Sequence, residues 1–216
     1  MFAFAQMNQW QQQLFAAALV QRMLPNYLYF AQACEFGEPG ILVNQLDLVW
    51  QKLARLPVKF NVPLQLDKLE NVIPRAEDFD VYAVFPAIDA CSGLTTLLQS
   101  FVEREVDCAA ELSQLSIATV TAYLEMLQLE AVDEITAEVN PQEQSVEEKT
   151  QEEKIQEEKI QEVPTTITDE PLYQWEVSMQ TDLYELIIQR KENKALIDEV
   201  KTLVTEQRLS NLAIEY

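Results

Sequence analysis

Four charged residues stand where an apolar helical face would otherwise continue. Arg22 follows the stripe Leu14, Phe15, Ala18 and Leu19; Asp89 lies inside Pro86-Ala-Ile-Asp-Ala-Cys91; Glu125 separates Leu124 from Met126; and Arg190 interrupts Met179, Leu183 and Leu186. Two guanidiniums and two carboxylates balance in sign. One arrangement they allow is a partly buried ion-pair network, in which each charge needs its partner because an unpaired buried charge is so costly. The other opens a cleft. There Asp78, Asp80, Asp89 and Glu125 would supply the oxygens that Mg²⁺, Ca²⁺ or Mn²⁺ accepts, and Arg22 or Arg190 could hold a phosphate or carboxylate through two hydrogen bonds. The Asp78-Phe-Asp80 run lacks the glycine and terminal glutamate of an EF-hand loop, and capping of a helix start explains it better.

Composition removes many other chemistries. The chain has 216 residues and no histidine, so the commonest general base and metal ligand are missing, and with them Ser-His-Asp and Cys-His catalysis. Its 36 Asp and Glu against 15 Lys and Arg give a net charge of -21, which repels phosphate backbones and anionic membranes. Neither nucleic acid nor membrane is therefore expected as a partner. Gly37, Gly40 and Gly93 cannot form a P-loop or a dinucleotide-binding glycine pattern, and no cofactor is expected. Cys34, Cys91 and Cys108 lie in apolar surroundings without Cys-x-x-Cys spacing and read as reduced core thiols. No run approaches the length of a membrane span, and the first basic residue is Arg22, so the expected location is the cytoplasm.

The elements that must position the charges read as helices. Leu14, Phe15, Ala18, Leu19, Arg22 and Met23 predict a first helix that stops near Pro25, followed by a short second helix from Asn26 to about Cys34. Ile41, Leu42, Leu46, Val49, Trp50 and Leu53 mark a third, closed by Pro57. Val58 to Val62 alternates like a strand but has no partner, so it reads as an extended connector. A short helix follows from Leu64 to Val72. With Asp78 as N-cap, Val81, Val84, Phe85, Ile88, Cys91, Leu94, Leu98 and Phe101 carry one apolar face, which Pro86 must kink or restart. Val106 to Leu129 forms another helix, whose Ala109, Ser113 and Ser116 allow a neighbour to approach closely. The last helix is predicted to be the longest, from Leu172 to about Arg208, with a near-heptad, coiled-coil-like stripe through Arg190 and Asn193.

Between the last two helices the composition changes. Residues 133 to 162 hold 11 acidic residues and 3 lysines, a net of -8, and no aromatic residue. A five-residue Glu-Glu-Lys unit occurs three times from Glu147 to Gln161. A period of five turns each copy by about 140° on an ideal helix, so Ile155 and Ile160 never share a face and the repeat cannot pack as a core helix. The expected architecture is one all-α, helical-bundle-like domain of six or seven helices, formed by residues 1–132 and completed by residues 171–216. Residues 133–170 are expected to form an acidic, disordered low-complexity insertion between those two parts.

An ordered series of short motifs adds to this. Val20-Gln-Arg-Met-Leu-Pro-Asn-Tyr27, Leu46-Asp-Leu-Val-Trp50, Ile73-Pro74, Phe79-Asp-Val-Tyr82, Pro86-Ala-Ile-Asp-Ala-Cys91, Leu124-Glu-Met126, Gln174-Trp-Glu176 and Ser210-Asn211 resemble the YjaG-like family of bacterial proteins. The resemblance covers nearly the whole chain except about 133 to 171. It implies an all-helical fold of unknown function, brings no established catalytic residues to carry over, and makes the acidic repeat look like an insertion peculiar to this member.

The functional expectation is a cytosolic helical protein acting through contacts with a protein partner or with itself as a homo-oligomer. The alternative is an enzyme or ligand-binding protein built on the carboxylate and arginine cleft. Asp89 is the sharpest test, because it stands about 100° from Ile88 and about 40° from Phe85, at the edge of the apolar face. There an ionised carboxylate calls for Arg22 or Arg190 as its cation.

Overall fold

The computed structural model describes residues 2–138 and 166–215. Among them it forms seven α-helices: α1 Gln9–Ala33, α2 Pro39–Leu53, α3 Val62–Glu70, α4 Val84–Gln99, α5 Cys108–Glu138, α6 Pro171–Ile188 and α7 Lys194–Thr205. The described residues hold no strand, so the all-helical expectation is met. The Glu-Glu-Lys repeat lies outside the described residues.

Helix α1 is the axis of the fold, packed against α2, α4, α5, α6 and α7. Its start follows from Asn8, which accepts from the Gln11 N–H at 2.9 Å while Gln11 Oε1 accepts from the Asn8 N–H, a reciprocal cap of two otherwise unpaired donors. From Leu14 to Val20 every side chain is buried, so the helix is surrounded rather than half-wetted. This corrects the break read at Pro25. One helix runs through the proline, because packing on all sides outweighs the roughly 3 kcal/mol that an interior proline costs.

Two more boundaries differ from expectation. Asp78 caps no long helix: Ala76–Asp78 is a short 3-10 turn, and α4 starts at Val84 after a further turn. Pro86 therefore sits in the first turn of α4, where no intrahelical donor is required of it. Val81 and Phe85 consequently face outward, 45% and 51% exposed, instead of extending the core face. The long last helix is in fact α6 and α7. The side chain of Asn193 caps α7 by accepting from the Leu196 N–H at 2.8 Å, and Gln11 Nε2 donates to the carbonyls of Ile187 and Arg190, 3.0 Å each, at the end of α6. Arg190 and Asn193 interrupt the heptad stripe because they belong to the break.

Residues 209–215 then fold back over α1. Ser210 Oγ accepts from the N–H groups of Leu212 and Ile214, and Leu209 pairs with Glu215 in a single antiparallel bridge. Gly37 shows how tightly the α1–α2 turn fits. Its φ is +66°, and a Cβ there would stand 2.7 Å from the hydroxyl of buried Tyr27, which donates to the Val72 carbonyl at 3.0 Å.

Candidate functional site

The charges singled out in the sequence do not meet. Arg22 is 1% exposed and paired with Glu176, which is 0% exposed. Arg190 lies on the surface, bonded to Glu199 at 2.8 Å with both side chains 48% exposed. Asp89 is half-buried and accepts from Thr119 Oγ1 at 2.7 Å, while Glu125, Asp78 and Asp80 are exposed. The cation that Asp89 was expected to find is therefore engaged elsewhere; a hydroxyl serves it instead. Burial holds the Asp89 carboxyl above its ordinary range, with the Thr119 hydrogen bond pulling the other way. Among the described residues no three Asp, Glu or Cys side chains gather within reach of one metal ion. Burial also pushes the Cys91 thiol up to about 12 and Cys108 up to about 11, far from the thiolate that reactivity requires.

Around Arg22 the structure builds a sealed polar network. Ser116 Oγ and Gln180 Nε2 donate to Glu176 Oε1 at 2.7 and 2.8 Å. Ser113 Oγ donates to Gln180 Oε1 at 2.6 Å. The Arg22 guanidinium also stacks 4.5 Å over the Trp175 ring. The chain continues through the C-terminal segment, where Asn211 Nδ2 donates to Ser116 Oγ at 3.0 Å and Asn26 Nδ2 to Asn211 Oδ1 at 2.8 Å. The Arg22 carbonyl also accepts the Asn211 N–H, at 3.1 Å. Two atoms one turn apart on α1, Arg22 Nη2 and Asn26 Oδ1, end without a partner.

Sequence reasoning missed most of this set. Ser113 and Ser116 were read as small residues for close approach, and they also provide the hydroxyls that let α6 bury a carboxylate. One signal for Glu176 was present: it falls between Leu172 and Met179 at i+4 and i−3, on the buried stripe of its helix. Asn26 and Asn211 carry no such mark, because their pairing joins positions 185 apart in the chain.

Asn26 also lines a hollow of about 300 Å³ on the outer side of this network. Tyr29 of α1, Tyr82 and Pro86 at the approach to α4, Tyr123 of α5 and Ile214 of the C-terminal segment complete its walls. The rings of Tyr82 and Tyr123 lie 6.0 Å apart, and Phe85 stands 5.8 Å from Tyr82 on the outside. The Tyr82 hydroxyl is pushed up to about 12, by burial first and then by the negative charges of Asp89 and Glu125 together with Tyr123.

The family comparison covers the whole of this architecture. A model described as "Protein of unknown function (DUF416)" matches residues 3–215. The chain belongs to the DUF416 family. Curated relatives of this DUF416 protein include the "Uncharacterized protein YjaG" of Escherichia coli strain K12, 46% identical over 123 residues, and its counterpart from Salmonella typhimurium at 45%. An "Uncharacterized protein" from Haemophilus influenzae is 40% identical over 121 residues. In each case the match spans 62% of the relative's own length, and 55 or 56% of this chain. The crystal structure of a DUF416 family protein from Shewanella baltica superposes with a TM-score of 0.78 at 29% identity, over 100% of both chains. The family and the helical fold expected from the motifs are thereby shown. No helix among the described residues of this DUF416 protein is long and apolar enough to cross a membrane.

Proposed function

We propose that this DUF416 protein works by binding another polypeptide through the tyrosine-lined hollow and its rim, rather than by covalent chemistry. The observation that carries the reading is the rim itself. Tyr29 is 54% exposed and Phe85 51%, and ring contacts make Phe85, Tyr82 and Tyr123 continuous. Exposed apolar residues scattered singly are ordinary on a soluble surface, whereas a contiguous aromatic patch around a concavity is the composition of a contact site. Tyrosine suits that role because one end of its ring system is apolar and the other remains wetted. The arginines and carboxylates that could have performed chemistry are sealed inside or dispersed over the surface, which favours binding over the enzyme alternative.

A photo-crosslinking amino acid placed at Phe85 in whole cells tests the reading. Discrete adducts with another protein are expected, lost when Tyr82→Ala is added and not formed from Leu64, which is 48% exposed on α3. No adduct at position 85, or the same adducts at position 64, would overturn it.

A further inference from the structure

We propose that the hollow recognises a primary ammonium group, presented as a lysine side chain by the partner polypeptide; this assignment rests on the contact role proposed above. Its walls are the first argument. Tyr29, Tyr82 and Tyr123 approach it from α1, the turn before α4 and α5. Tyrosine faces attract a cation through the ring quadrupole.

The sign of the local field is the second. Asp89 and Glu125 lie close enough to act on Tyr82, while no lysine or arginine lines the hollow among the described residues. The Arg22 guanidinium behind Asn26 is matched by Glu176.

The third argument is the polarity of the relay that ends at Asn26. The Glu176 carboxylate can only accept, so Ser116 Oγ must donate to it. That hydroxyl oxygen then accepts from Asn211 Nδ2, which leaves Asn211 Oδ1 facing Asn26. Asn26 must therefore present Nδ2 inward, and its remaining atom, Oδ1, is a buried acceptor without a partner in a residue that lines the hollow. Oδ1 is closed to solvent in this structure, so an N–H donor satisfies it by drawing the Asn26 side chain toward the hollow, and a carboxylate or phosphate cannot. An ammonium can give one of its three N–H groups to Asn26 and turn the others toward the tyrosine rings and water; a planar guanidinium spreads five donors in one fork that a single acceptor cannot serve. The exposed Phe85 beside Tyr82 argues for a side chain carried on a polypeptide, because a free amine would leave it uncovered.

The test is a titration of the full chain carrying ring-labelled tyrosines, followed by NMR, with the tripeptide acetyl-Gly-Lys-Gly-amide. Saturable shifts at Tyr82 and Tyr123 are expected, weakening with salt. Norleucine in place of lysine should bind at least about tenfold more weakly. Trimethyl-lysine keeps the charge but has no N–H, and it should bind more weakly than lysine. Tyr82→Phe should retain the response and Tyr82→Leu should lose it. Norleucine shifting the same rings as strongly would show that the hollow reads apolar bulk and would overturn the proposal. Trimethyl-lysine binding as tightly as lysine would show that Asn26 Oδ1 is served internally, by Arg22 for example, and would overturn it too. A failed titration beside positive crosslinks from position 85 removes the ammonium and leaves the docking surface; the converse removes the partner and leaves the ammonium site.

Discussion

Asn26 belongs to two regions of opposite character. On one side it closes a network in which Arg22, Ser116, Glu176, Gln180 and Asn211 are all nearly or wholly removed from water. On the other it lines an open hollow whose rim residues are half exposed. Both regions mix polar atoms with aromatic rings. In the interior network the polar atoms other than Arg22 Nη2 and Asn26 Oδ1 take their partners from the chain, and loss of one leaves another stranded at the full desolvation penalty. At the hollow, water or a ligand can supply the partner, so the same residue types are available for recognition. Burial, more than residue type, separates structure from function here.

The largest expected effect breaks the sealed side. Arg22→Ala should destabilise the fold by about 3 to 5 kcal/mol, the usual cost of stranding one member of a buried ion pair, measured by urea denaturation. Arg22→Ala and Glu176→Ala together should cost much less than the sum of the two separately, since the double variant leaves no unpaired charge. Additive costs would show that the pair does not act as a unit. Asn211→Ala comes next, at about 1 to 3 kcal/mol, because it leaves Asn26 Nδ2 without a bond, removes the donor to Ser116 Oγ and takes two side-chain ties from the C-terminal segment. Hydrogen exchange should show the loosening first at residues 209–215. If exchange there were unchanged, the segment would be held by Leu212 and Ser210 instead.

Asp89 lies between the two regions. Asp89→Ala should cost about 1 kcal/mol, since the Thr119 hydroxyl can give its one hydrogen to the Leu115 carbonyl instead. Its carboxyl is raised above the ordinary range in the folded chain. The folded state therefore holds the proton more tightly, and that stabilising contribution is present at low pH and lost as pH climbs through the raised value. Asp89→Asn accepts the Thr119 bond but cannot ionise, so its stability relative to wild type should improve as pH rises from the ordinary carboxylate range toward neutrality. A relative stability that does not vary with pH would count against the burial of Asp89. The smallest effect belongs to the open surface: Arg190→Ala should change stability by less than about 1 kcal/mol and less still in high salt, because both members of its pair are wetted.

Much of the fold was legible in the order of residues. Helix-period stripes, few glycines and prolines between the stripes identified an all-helical chain, and the motif series pointed to its family. Boundaries were less legible, and the errors share a cause. Pro25 reads as a stop by local rules, yet α1 is enclosed by five other helices, and that packing overrides a local cost of a few kcal/mol. The heptad stripe through Arg190 and Asn193 failed in the opposite direction, because the asparagine cap and Gln11's hold on the end of α6 are stronger instructions than a loose apolar repeat.

The sequence by itself determined the helical class, the missing histidine chemistry and the presence of charge within apolar faces. Tertiary structure alone decided which charges are partners. Arg22 and Glu176 are 154 residues apart, and each had several oppositely charged candidates; the choice was made by the helix faces that α1, α5 and α6 turn toward one another. The hollow likewise exists only in the assembled fold, since Tyr29, Tyr82, Tyr123 and Ile214 arrive from four separate segments. Periodicity describes which face of a helix is apolar; it carries no record of which other face it will meet.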